Sequence, residues 1–296
     1  MSTDTRPATA PTSDDVPRSL VPARPRRGPR PPWRSWLLAL PVPLVLLLLW
    51  DRGVAGGWTL PLGIQMGFVP APWQVAQRLA DLAFGGVIDD SYSRTLWIHL
   101  YASTLRVVQG FLLATALAVP LGILMGRSTT LFRMLEPTVN LVRPIPVTAW
   151  APLALLIIGF GDRSTIFLVL LAAFFPILLN TITGVRQVPG RLLEAAAMLG
   201  TPPAQALYKV VLPAAVPSIV GGLRIALGLG WVILVVGETV GISVGLGAMI
   251  TQARDQSRTD LIICGMVVIG LAGFLADRLL VLLVRLVAGR RPLVTV

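Results

Sequence analysis

The charged side chains of Arg106, Arg143, Arg224 and Glu238 fall inside long apolar runs of this chain, and Glu194 sits in a short polar insert between two such runs. A charge near the middle of a bilayer costs about 2.5 to 3.5 kcal/mol on insertion scales, so each requires an ion partner, water or a task. Arg224 lies eleven residues beyond Pro213, about 16 Å along a helix, a mid-membrane depth that suits an anion pathway. Arg143 is expected nearer one end of its run, and Glu238 at the far end of the helix that carries Arg224. Pairing between helices, or snorkelling to the interface, is the alternative for each. Pro144, Pro146 and Pro152 interrupt one run and would free backbone carbonyls toward a cavity, with Trp150 as a wall; kinks that serve packing alone are the alternative. Arg143, Trp150, Arg224 and Glu238 are therefore the candidate translocation residues.

Catalytic chemistry finds little support. Cys264 is the only cysteine and lies in an apolar run, which excludes an intrachain disulfide and a cysteine zinc cluster and reads as a buried, inert thiol. His99 is also alone, lacks partners for a metal or a triad, and reads as an interfacial or buried polar residue. The spans hold no paired His and Asp and no nucleophile constellation, so neither catalytic residues nor metal ligands are assigned.

The elements that must position these residues are helices in a membrane. With 54% hydrophobic and 13% charged residues in 296 and a mean hydropathy of +0.76, the chain is expected to be an all-α integral membrane protein. Six runs approach the length of a span, at 36–50, 98–126, 137–160, 164–184, 214–238 and 261–286. The net charge of +11 does not form a stripe on a soluble face, and membrane topology explains it better than nucleic-acid binding. In a six-span arrangement one side collects Arg6, Arg18, Arg24, Arg26, Arg27, Arg30, Arg34, Arg127, Arg133, Arg186, Arg191, Lys209, Arg285, Arg290 and Arg291; the other has Arg52, Arg78, Arg94, Arg163, Arg254 and Arg258. Fifteen against six places both termini and the insert in the cytoplasm.

Residues 1–35, rich in Arg, Pro, Ser and Thr, are expected to form a disordered cytoplasmic tail. Arg26-Arg27 raises a twin-arginine signal, but prolines follow and no small-x-small cleavage site stands after Trp50, so a retained first helix is favoured. Residues 36–96 hold that helix and an outer segment with a short amphipathic helix through Trp73, Ala76, Gln77, Leu79, Ala80 and Ala83. Residues 97–288 form the transport core, 241–260 within it a turn or partial helix at the outer face, and 289–296 a short cytoplasmic tail. No internal repeat supports a fold of two fused halves.

The insert reads as helix, break, helix. Gly200 suits the left-handed residue after a helix end, Thr201 an N-cap and Pro202 the first position of the next helix. Ala195 to Ala197 keep the first helix slim, Glu194 supplies a charge, and Leu207 and Val210 to Leu212 anchor the second. A solvated hairpin packing on its own bundle is the structural alternative.

The series Glu194-Ala195-Ala196, Gly200 and Leu212-Pro213 resembles the coupling motif of binding-protein-dependent ABC importer permeases. Residues 110–126, Glu136-Pro137, Arg143-Pro144-Ile145-Pro146, Ala149-Trp150-Ala151-Pro152, Phe175 to Thr181, Gly222 to Gly228 and Thr259-Asp260-Leu261 are similar to the nitrate, sulfonate, taurine and bicarbonate group of that family. The resemblance covers residues 97–288; Pro202-Pro203 departs from the small or polar residues commoner after the family glycine. It implies a type I importer permease fold of about six spans, with coupling helices at 190–212. It also implies a second copy of this chain, two cytoplasmic ATP-binding subunits and an extracytoplasmic solute-binding protein, with ATP and Mg bound by the ATPase and no cofactor by this chain. The sequence agrees: it has no Gly-x-x-x-x-Gly-Lys loop, and its only lysine, Lys209, follows Tyr208. The expected function is import of a small anion, aliphatic sulfonate or taurine first, with nitrate, bicarbonate and aromatic or vitamin-like solutes as alternatives. An ATPase-independent secondary transporter or channel and a partner-assembling scaffold are the rivals from other classes.

Overall fold

The computed structural model describes residues 40–239 and 241–288. The predicted tails at 1–35 and 289–296, and the first residues of the predicted span at 36–50, lie outside them. The chain divides into two units, residues 1–50 and 51–296. Helix α1 (Pro41–Ala55) begins in the first and ends in the second. Its fifteen described residues amount to about 22 Å, short of the ~30 Å hydrocarbon thickness.

In the second unit a hairpin of two-residue strands, β1 (Thr59–Leu60) antiparallel to β2 (Ile64–Gln65), is the only departure from an all-helical chain among the described residues. Helix α2 (Pro72–Phe84) starts with Pro at its first position, and the Gln74 Oε1 accepts from the Ala71 N–H at 2.8 Å. Its buried face runs through Val75, Arg78 and Leu82, a pattern with a charge at its centre that hydrophobic periodicity does not reveal.

Four long helical segments have the length and apolarity to cross a bilayer: α3 (Leu96–Arg127), α6 (Asp162–Arg186), the run Pro203–Glu238, and α11 (Thr259–Ala288) through Leu286. The predicted continuous span at 137–160 is instead two helices, α4 (Thr129–Val142) and α5 (Val147–Ile158), bent by 91°. Prolines 144 and 146 give no N–H to the helical ladder, and Pro146 itself is extended (ψ 135°), so the chain turns there. Pro152, inside α5, is tolerated without a second break. Among the described residues the spans number four, or five if the bent pair counts as one; the predicted first span at 36–50 lies partly outside them.

Helix α6 is the hub, packed between α3 and α9 (Leu212–Glu238). Small residues allow this: a Cβ on Gly122 of α3 would stand 2.7 Å from the Thr181 Cβ, and one on Gly222 of α9 would stand 3.0 Å from the Pro176 carbonyl oxygen. Gly221, Gly228 and Gly270 meet open space within this chain.

At one end of the bundle, α2 is pinned to the start of α11 by charge. Buried Arg78 contacts Asp81 at 3.3 Å, Asp90 at 2.5 Å and Asp260 at 3.2 Å, and Arg258 adds Asp90 at 3.0 Å and Asp260 at 3.1 Å. The Ser93 hydroxyl and the N–H groups of Ile88 and Val87 hold the Asp81 carboxyl down at about 2. Burial pushes Asp90 upward, but hydrogen bonds from Arg78, the Tyr92 N–H and Arg258 outweigh it and leave its pKa below the ordinary value. The hydrogen bond to Asp260 raises that of Arg258. Nearby, Cys264 is buried, its thiol 3.6 Å from the Val75 carbonyl, as a packing residue would be.

Candidate functional site

The insert emerges from α6 as α7 (Gly190–Met198). Its end is a Schellman closure: the Gly200 N–H bonds the Ala197 carbonyl at 2.9 Å and the Thr201 N–H bonds Ala196 at 3.0 Å, with Gly200 at φ +74°. The predicted N-cap moves by one residue. Thr201 is consumed in that closure, so extended Pro202 (ψ 151°) precedes the next helix, α8 (Pro203–Ala206), and Pro203 takes its first position. Nor is the second helix a separate element: α8 passes through a π turn at Leu207–Val211 directly into α9. Pro213 cannot donate to the Lys209 carbonyl, and the ladder shifts to the wider spacing in which the Leu212 N–H bonds Leu207.

Leu207 and Val211 fulfil the expected anchoring role, packing with Val185, Ala215, Ile123, Val188, Leu193 and Ile219. Ala196 is buried against the bundle, whereas Glu194, Ala195 and Gly200 are exposed and Leu212 and Pro213 half-buried at the base of α9. Met198 and Leu199, at the tip, are 88% and 84% exposed. The insert thus presents an apolar tip beside an exposed carboxylate.

Mid-bundle, the α4–α5 bend opens a cavity of about 480 Å³ against α6 and α9, lined among others by Arg143, Trp150, Phe175, Asn180, Ile225 and Leu229. Pro176 offers no N–H to the Ala172 carbonyl, and both residues line the cavity. Asn180 Nδ2 donates to the Pro176 carbonyl at 2.8 Å. Arg143 is exposed, has no ion pair among the described residues, and is the one ionisable side chain on the cavity wall.

The structure brings Arg143 and Trp150 together and sends the other two translocation candidates elsewhere. Arg224 forms a two-pronged pair with Asp277 of α11, 2.7 and 2.9 Å, and does not line the cavity. Glu238 is fully buried; it contacts Arg106 Nη1 at 2.5 Å, accepts from the Ser103 hydroxyl at 2.8 Å and takes the Gly247 N–H at 2.8 Å. Arg106 continues to Asp162 at 2.8 Å, and Ser103 Oγ accepts from the Leu246 N–H, which caps helix α10 (Leu246–Asp255). His99, Ser103 and Arg106 form one stripe of α3 that grips this chain reversal, with the Gly245 N–H directed at His99 Nδ1 at 3.0 Å. For Arg224, Glu238 and Arg106 the pairing alternative is the one realised. Composition did not single out Ser103 or Asp277; a spacing of four and three residues from His99 to Ser103 to Arg106 was the available signal.

Three kinds of relationship bear on this arrangement. Residues 118–291 match the family described as binding-protein-dependent transport system inner membrane component. The taurine transport system permease protein TauC of Escherichia coli is 37% identical over 83% of this chain and 88% of its own length. The putative aliphatic sulfonates transport permease protein SsuC of Bacillus subtilis is 36% identical over 85% and 86%. A putative ABC transporter permease protein of Methanocaldococcus jannaschii is 48% identical, over 58% of this chain and 65% of the archaeal protein. Among solved structures, an inward-facing MetNI methionine ABC transporter chain superposes with a TM-score of 0.51 at 21% identity, over 63% of this chain and 96% of its own, a likeness of fold. With a family match across more than half its length and relatives aligned nearly end to end, this multi-pass membrane chain belongs to the binding-protein-dependent ABC transporter permeases.

Proposed function

We propose that this permease moves a small organic or inorganic anion, aliphatic sulfonate or taurine first, through the Arg143 cavity. The observation that carries the reading is the contrast among intramembrane charges: Arg106, Arg224 and Glu238 are spent on ion pairs, whereas Arg143 faces a cavity lined with Trp150 and Phe175. An unpaired guanidinium in a low-dielectric recess attracts a solute carboxylate or sulfonate and repels cations, and the aromatic walls accept its short carbon chain. The taurine and sulfonate permeases among the relatives support the same class.

In this reading α7 faces the cytoplasm, as the excess of Lys and Arg at its end of the bundle favours. It docks on one of two ATP-binding subunits through Met198, Leu199 and Glu194. ATP and Mg are held by those subunits, a second copy of this chain completes the pore, and a solute-binding protein delivers the anion at the opposite end. Closure of the ATPase dimer pushes the insert, and its short link to α6 and the unbroken run of α8 into α9 transmit that movement to the cavity walls.

The test is purification of the chain from its native membrane with its partners, followed by ATPase assay with binding protein and candidate anions. An ATPase at one-to-one stoichiometry whose hydrolysis rises with taurine or an alkanesulfonate supports the reading. A chain that isolates alone and still moves solute in vesicles overturns it in favour of a secondary transporter or channel.

A further inference from the structure

We infer that the end of the molecule opposite α7 holds a second anion site, a pocket of about 380 Å³ built on the first turn of α3, which takes a small oxyanion such as a sulfonate. Its identity as a sulfonate site rests on the importer reading above; its geometry does not.

Helix α3 has 32 residues, about 48 Å, against a hydrocarbon thickness of ~30 Å. Arg106 meets the ends of α6 and α9 at Asp162 and Glu238, so the ten residues before it carry the start of α3 about 15 Å past those ends. No side chain caps that start, and the N–H groups of Leu96, Trp97 and Ile98 have no acceptor among the described residues. A long helix with bare N-terminal donors presents about half a positive charge.

Two polar side chains more than nine-tenths buried line the same pocket, each with a polar atom that has no partner among the described residues. His99 is 8% exposed; its Nδ1 lies 3.0 Å from both the N–H and the carbonyl oxygen of Gly245, and its Nε2 has no partner among the described residues. Tyr92 is 8% exposed, and its hydroxyl has none either. Neither the Nε2 of His99 nor the Tyr92 hydroxyl is sealed from the pocket. Ser91 and Ser243 also line it. No carboxylate lines it, and the adjacent Asp90 is already held by Arg78 and Arg258. Hydroxyl donors at a helix N-terminus, with no carboxylate beside them, favour an oxyanion over a cation.

His99 is the only histidine in the chain, so histidine labelled with nitrogen-15 in the ring yields a single reporter at the site itself. The full chain, in lipid nanodiscs and purified without a histidine tag, is titrated with methanesulfonate and, at equal ionic strength, with choline chloride. The expected result is a saturable shift of the Nε2 resonance with methanesulfonate and not with choline chloride, its half-point raised about tenfold in Tyr92→Phe and several-fold in Ser91→Ala. An unmoved resonance, or half-points unaltered in both variants, overturns the inference. A shift produced only by the substrate-free binding protein overturns it too, and assigns the pocket to protein docking. A methanesulfonate shift in a chain whose purified complex shows no anion-stimulated ATPase upholds the site while removing the importer reading.

Discussion

Two polar regions of this molecule handle charge in opposite ways. Around Glu238, every polar group is answered: Arg106, Ser103 and the Gly247 N–H satisfy the carboxylate, and Asp162 takes the rest of the guanidinium. Around Arg143, a charged side chain on a cavity wall has no counter-ion among the described residues. Burying an ion is tolerable when partners replace its water, so the first region is cement; leaving one unanswered is tolerable where water or a solute enters, and the second region is where we propose the path.

Replacing Arg143 with Gln breaks the contrast from the functional side. Loss of a charge-assisted contact to the solute is expected to lower transport about 10- to 100-fold in reconstituted vesicles, with normal assembly by gel filtration. Transport unchanged in an assembled complex would move the path away from Arg143.

Glu238→Ala breaks it from the structural side. Stranding buried Arg106 is expected to cost about 3 to 5 kcal/mol and to lower the thermal unfolding midpoint in detergent, whereas Arg224→Met, whose pair is partly exposed, is expected to cost far less. Equal costs would show that depth in the bundle does not separate the two pairs.

Gly200→Ala places a side chain at φ +74° and is expected to cost about 1 kcal/mol locally. Because Leu207 and Val211 hold the second arm independently, the bundle is expected to stay folded while ATPase stimulation by the binding protein falls. Coupling equal to wild type would sharpen the site to Glu194 and the Met198–Leu199 tip.

The smallest effect concerns acid. Asp81 has its pKa depressed from 3.8 to about 2, so its contribution to stability is fully present above about pH 4 and fades as pH falls toward 2. Asp81→Asn is expected to flatten that part of the pH profile of unfolding in detergent. An unchanged profile would remove the carboxylate from the acid response.

Much of the fold was legible because apolar length and Gly or Pro punctuation are local properties. The long spans and the left-handed Gly200 follow from residues within a turn or two of one another. The 91° bend was foreshadowed by Pro144 and Pro146, yet reading 137–160 as one helix missed it, since hydropathy counts residues and not direction. Thr201 failed as an N-cap because the closure of the preceding helix claimed it first, a competition between two motifs one residue apart.

The site divided along the same line. Composition and order sufficed for the family, the insert and the need of each intramembrane charge for a partner. Which charges were partnered was decided by distance in space. Asp277 reaches Arg224 across 53 positions and Glu238 reaches Arg106 across 132, and no periodicity within one helix encodes either meeting. The sequence by itself determined that this chain crosses a membrane and carries a polar helix-break-helix insert between two spans, because hydrophobicity and turn chemistry are written residue by residue. Only the tertiary structure decided that Arg143 faces a cavity, that Arg224 and Glu238 are paired, and that His99 lines a pocket, because pairing and exposure belong to the packed helices together.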